Sequence, residues 1–170
     1  MHLRETIRPA DLARAVAVLA VADTIFLLGQ RRAFPVASCL AYACGRLGLR
    51  AVLLDNLGAM LPEQAAGIAP RDALLVTSFT PYTPSTIETT TLLARRGVPI
   101  VAITDSAFSP IAPFAASWLE VAEADQGAFR SLAASLSLAM TLAVAVSQMR
   151  GGGCEGWELM PKGLPESHDG

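Results

Sequence analysis

At 170 residues the chain suits one domain, long enough to bury roughly 70% of its unfolded surface without disulfide staples. Hydrophobic residues make up 52% and charged residues 16%, a balance that predicts apolar surface covered by a partner. The formal net charge of −2 leaves no polyanion footprint, which argues against this chain contacting nucleic acid directly.

In chain order, a helix is predicted over 10–21, ahead of a first strand "DTIFLLG" (23–29). A helix over 34–47, the strand "RAVLLD" (50–55), a helix over about 58–67 and the strand "DALLVTS" (72–78) follow. A helix over 84–96 leads to "VPIVAIT" (98–104), then to "ASWLEV" (116–121) and a long final helix over about 127–149. The strands are short apolar runs bounded by Asp, Gly or Pro, as in a sheet covered on both faces. Their alternation with helices predicts an α/β fold, a three-layer α/β/α sandwich around a five-stranded parallel sheet in flavodoxin-like order. Helix stops agree: Gly45 to Gly48 close one helix, and Gly97 closes another behind two arginines at its negative end. The glycine run at 151–153 and the aperiodic segment after it predict a flexible tail over 151–170, which leaves a domain of residues 3–150.

Two apolar stretches look superficially like membrane signals. Ala15 to Ala22 is bracketed by Asp11 and Asp23, and no cleavage site follows. The nineteen uncharged residues between Arg130 and Arg150 include six Ser, Thr and Gln side chains, so a helix buried in a subunit interface is expected rather than a membrane span. Cys39, Cys44 and Cys154 are odd in number and off zinc spacing, which predicts buried reduced thiols in a cytoplasmic protein. No motif calls for a metal or a cofactor.

Ligands of open parallel sheets sit beyond the carboxyl ends of the strands, so three loops matter. The most informative is "SFTPYTPST" (78–86), with hydroxyls at five of nine positions and no glycine. At a helix N-terminus, Ser78, Thr80, Thr83, Ser85 and Thr86 would surround an anion such as phosphate. Helix capping accounts for some of them, with Thr83 or Ser85 as N-cap and Glu88 closing a capping box with Ser85, but it does not need five. The loop after the first strand adds Arg31 and Arg32, either a phosphate clamp or a pair of solvated cations. The loop after the fourth offers Asp105, Ser106 and Ser109, for sugar hydroxyls or for an Asx-turn.

These residues carry a resemblance. The order of elements resembles a sugar isomerase (SIS) domain, and more narrowly the effector domain of RpiR-type transcription regulators, over about residues 3–150. "SFTPYT" is similar to the family's phosphate loop S-x-S-G-x-T, with Ser78, Thr80 and Thr83 on the three hydroxyl positions. "AITDSAFSPIAPFAASWLEV" resembles the segment that enters the family's last strand, and "LRETIRPADLARAVAVLAVADTIFLLG" the linker and helix that follow the DNA-binding part. In the family's first loop, G-x-G-x-S, Gly29 is kept, while Arg31 replaces the second Gly and Ala33 the Ser. Pro81 replaces the phosphate-loop Gly and removes a backbone donor, so the loop's shape must differ, with Tyr82 narrowing it or stacking on the ligand.

The resemblance implies a phosphorylated sugar or similar small anion as ligand, bound by Gly29, Arg31, Arg32, Ser78, Thr80, Tyr82, Thr83, Asp105 and Ser109. It implies a homodimer or higher homo-oligomer whose helix-turn-helix DNA reader is not within this chain. The fold also serves aldose–ketose isomerases, which need a positioned base. His2 and His168 sit at the extreme termini, so Glu88 is the weak catalytic candidate, with Glu63 second. The expected role is a ligand sensor. The alternatives are a sugar-phosphate isomerase and a structural dimer with a degenerate site.

Overall fold

A computed structural model describes residues 7–124, 127 and 130–151. Strands β1 (Ile25–Gly29), β2 (Ala51–Leu54), β3 (Ala73–Ser78), β4 (Ile100–Thr104) and β5 (Ser117–Glu120) form one sheet in the order β2-β1-β3-β4-β5. All four pairings are parallel, with Ile25 opposite both Ala51 and Ala73, Leu74 opposite Ile100 and Val101 opposite Ser117. Helices α1 (Pro9–Ala20), α2 (Phe34–Arg46), α3 (Leu61–Ala66), α4 (Pro84–Arg95) and α5 (Ala133–Met149) cover its two faces. The five-stranded parallel α/β sandwich expected from the sequence is the architecture formed.

Successive strand residues point to opposite faces, so the strands feed two separate cores. Leu27, Leu75, Ile103 and Leu119 meet Leu19 of α1, Leu40 of α2 and Leu142 of α5 on one side. Leu28, Leu54, Val76 and Ala102 meet Leu61 and Ala65 of α3 and Leu93 of α4 on the other. Because both faces are covered, β3 and β4 are buried at every residue, which is why their sequences run apolar without alternation.

Two helices depart from their expected form. The helix expected over 58–67 forms only as Leu61–Ala66, behind a 3₁₀ turn at Leu57–Ala59. Asn56, Gly58 and Ala59 take positive φ there, and Asn56 Oδ1 accepts the Leu61 N–H at 3.0 Å, stopping the helix short. The long helix starts at Ala133 rather than near 127. Its first turn is fixed by Glu123, whose carboxylate accepts Ala134 N–H at 3.3 Å, Ser135 N–H at 2.7 Å and Ser135 Oγ–H at 2.6 Å. The apolar content of α5 is also used inside the domain: Ala134, Leu138, Leu142 and Val146 are buried against the sheet and its neighbouring helices.

At the other end of α5, the Arg150 guanidinium donates to the carbonyls of Leu19, Ala20 and Ala22, at the negative end of α1. Among the described residues no helix is long and apolar enough to cross a membrane. The tail expected to be flexible, with Cys154 and His168, lies outside the described residues beyond Gly151, as does His2.

Cys39 and Cys44 are free thiols, the first half-buried and the second buried. Burial pushes the Cys44 thiol up from 9.0 to about 11, with Arg150 pulling partway back. The fold thus holds this proton more tightly than the unfolded chain does, so stability falls as pH rises from about 9 to about 11. Across that window, chemical denaturation of the native chain should show a loss on the order of 2–3 kcal/mol that Cys44→Ala lacks.

Candidate functional site

Neighbouring strands β1 and β3 send their following helices to opposite faces, α2 to one and α4 to the other. The gap between their carboxyl ends is the crevice of a doubly wound sheet. Here it is a cleft of about 350 Å³ lined by Gln30, Arg31, Arg32, Ala33, Ser78, Phe79, Thr80, Pro81 and Thr83. Of the residues expected to bind ligand, the fold brings together Arg31, Arg32, Ser78, Thr80 and Thr83. Among the described residues no carboxylate and no imidazole lines this cleft.

Gly29 stands behind the wall and makes the approach possible. A Cβ there would lie 2.8 Å from the Ala33 carbonyl oxygen and 3.1 Å from the Ala37 Cβ. The chain then turns through Arg31 at φ 54, the left-handed region that a glycine enters freely. An arginine in that region costs on the order of 1 kcal/mol or more, and such local strain concentrates at functional sites. Its guanidinium takes no ion-pair partner among the described residues.

Arg32 is not a solvated cation. Its guanidinium carbon lies 4.6 Å from the centre of the Phe79 ring, and its Nη1 is buried without a hydrogen-bond partner. Gln30 sits opposite, with Oε1 accepting the Ser85 hydroxyl at 2.8 Å and Nε2 buried and unpaired. Gln30 and Arg32, each with one buried unpaired donor, thus line a cleft that also reaches Thr83 at the N-terminus of α4. That helix end is open: its N-cap is Thr83, whose side chain makes no capping bond, and Ser85 is occupied by Gln30. The expected capping box does not form, and Glu88 is exposed on α4. A partly buried guanidinium, an unpaired amide and an uncapped helix end all favour a small anion.

Several expected ligand residues do other work. Asp105 accepts the Thr80 N–H at 2.8 Å and the Tyr82 hydroxyl at 2.9 Å, so it and Tyr82 hold the phosphate-like loop from outside the cleft. The Thr80–Pro81 peptide in that loop is cis. Ser109 is buried, its hydroxyl unpaired, and Thr86 is likewise buried; neither lines the cleft. Glu63 is exposed on α3. Sequence reasoning missed Gln30 and Phe79. Phe79 gave no signal, since an aromatic after an apolar strand reads as core. Gln30 had one: it is the polar residue next to the strand-end glycine, where the backbone turns into the crevice.

A second cleft of about 420 Å³ adjoins the first, lined by Gln30, Arg31, Phe34, Asp55 and Asn56. Asp55 is held below the usual carboxylate range by the Gln64 amide at 2.7 Å and then by the Leu57 N–H at 3.0 Å, both on Oδ1. A smaller space of about 200 Å³ lies between Arg32, Asp105, Val121, Ala122, Glu123 and Arg130.

The fold and the crevice define a doubly wound α/β domain with an electropositive site at its switch point. The chain belongs to the SIS domain family, whose model matches residues 18–145. Comparison with curated protein sequences finds no match. Among solved structures, the chain is similar to the sugar isomerase domain of an RpiR transcription factor from Sphaerobacter thermophilus. The identity is 26% with a TM-score of 0.82, covering 88% of this chain and 84% of that one. It is also similar to the Vibrio vulnificus NanR protein complexed with ManNAc-6P, at 22% identity and TM-score 0.71, over 87% of this chain and 56% of that one. A Methanococcus jannaschii protein, whose structure infers a molecular function of 3-hexulose-6-phosphate isomerase, matches at 15% identity and TM-score 0.63. That match covers 84% of this chain and 77% of the other.

Releasing the loop from Asp105 tests its holding role. Asp105→Ala should leave the fold intact and speed hydrogen exchange of the Thr80 amide by roughly tenfold or more. An unchanged exchange rate would show that the loop is held by something else.

Proposed function

We propose that this chain is the phosphosugar-binding, ligand-sensing domain of an RpiR-like regulator, acting as a cytoplasmic homodimer or higher homo-oligomer. The single observation that carries the reading is the pair of unpaired buried donors, Arg32 Nη1 and Gln30 Nε2, at the uncapped N-terminus of α4. An anion that reached both would satisfy them and complete the helix end. Ser78, Thr80 and Thr83 would hold the phosphate, with Arg32 neutralising it.

The similarity to regulators supports this class. One of them is complexed with ManNAc-6P, a phosphorylated sugar. An isomerase would need a base beside the substrate, whereas Glu88 and Glu63 are exposed on helices and neither lines the cleft. Exposed apolar side chains outside the cleft, such as Tyr42 at 71% and Phe108 at 95%, are consistent with further assembly. Sensing then requires only that an occupied cleft bias one arrangement of the assembly over another, with a coupling of a few kcal/mol.

A thermal-shift series against hexose, pentose and amino-sugar phosphates, with inorganic phosphate as control, tests the reading. At least one phosphosugar should raise the melting temperature, and Ser78→Ala with Thr80→Val should abolish the shift without lowering the unliganded melting temperature appreciably. A null series, or a double variant that still responds, removes the proposed cradle. Turnover of the stabilising compound would move the protein to the isomerase class.

A further inference from the structure

We infer that Arg31 extends the site beyond a phosphate, so that the ligand is a phosphorylated sugar acid: a sugar phosphate carrying a second anionic group, its carboxylate seated on Arg31. This inference rests on the reading just proposed and narrows its ligand class.

Three observations carry it. Arg31 lines both the cleft at α4 and the neighbouring cleft of about 420 Å³, and so stands at the junction between them. Its guanidinium is unpartnered among the described residues, although the backbone is held at φ 54 to place it there. The phosphate itself does not need it, because Arg32, Gln30 and the uncapped helix end already present donors on the inner side. A second cation lining an anion site favours a ligand with a second negative charge.

The far cleft borders the acid end of such a molecule. Phe34 gives a half-exposed apolar wall, and Gln30 spans both spaces. Among the described residues Asp55 is the one carboxylate there, and because it stays ionised it favours an acid group on Arg31 over one deeper in the far cleft. Its Oδ1 is taken by the Gln64 amide and the Leu57 N–H, which leaves Oδ2 as an acceptor for a hydroxyl. An acceptor next to the Arg31 donor suits a hydroxyl adjacent to the acid group, with the phosphate at the molecule's other end in the first cleft.

Two matched pairs of ligands separate this from simple phosphosugar binding. One pair is 6-phosphogluconate and sorbitol 6-phosphate, which differ only in a carboxylate against a hydroxymethyl group. The other is glucuronic acid 1-phosphate and glucose 1-phosphate. Titration calorimetry should find the acid tighter in at least one pair by roughly tenfold or more, about one charge-assisted hydrogen bond. Arg31→Gln and Arg31→Gly should each erase that preference, costing the acidic member at least roughly fivefold more affinity than the neutral one. Arg31→Gly should also melt no lower than the native chain, since glycine fits this φ. Equal affinities within both pairs, or a loss in Arg31→Gln that falls equally on both members, would overturn the inference and leave phosphosugar binding standing. Failure of every phosphate ligand, neutral or acidic, would overturn both readings.

Discussion

Everything polar in this domain is organised by one crossing of directions. α2 leaves β1 toward one face of the sheet and α4 leaves β3 toward the other, although the two strands are hydrogen-bonded neighbours. Backbone that diverges at that point cannot pack against itself, so a crevice opens at the carboxyl edge. Strands buried on both faces leave polar side chains few other places to gather. The hydroxyl-rich loop and the two arginines therefore meet as a consequence of winding, rather than of any pairing between them.

Within the crevice, order is imposed from outside. Phe79 fixes Arg32 by stacking, Ser85 fixes Gln30, and Asp105 fixes the loop through Thr80 and Tyr82. Each anchor spends a group that could itself have bonded a ligand. The result is a small set of donors held in place before anything binds, which lowers the ordering cost of association. It also explains why the hydroxyls outnumber the contacts: some face the cleft, one ties down Gln30, and Thr86 is buried beneath the loop.

The sheet was legible because its signals were local and redundant. Continuous apolar runs, glycine stops and loop lengths all pointed the same way, and each strand lies within a residue or two of its expected ends. What failed was long-range. The start of α5 is set by Glu123, a dozen residues upstream of the turn it caps, and no periodicity reports such a bond. The stop ahead of α3 depends on Asn56 and Ala59 taking positive φ, where the sequence shows only one glycine. In the site, residue types identified the loops but not the roles: Asp105 and Tyr82 read as ligand groups until their mutual hydrogen bond placed them behind the loop. Arg32 read as clamp or surface charge, and its contact with the Phe79 ring had no local signal in the sequence.

Glu123 has a consequence for selectivity as well as for folding. An α-helix start attracts any anion of suitable size, and a domain with several such starts would be an indiscriminate trap. Here α5 carries a permanent internal tenant, the Glu123 carboxylate seated on its first-turn amides, while α1 and α3 carry an acidic residue, Asp11 and Glu63, within their own first turns. The starts of α2 and α4 hold no such carboxylate, and their N-cap residues, Ala33 and Thr83, line the same cleft. The domain's affinity for external charge is thus directed to that one address.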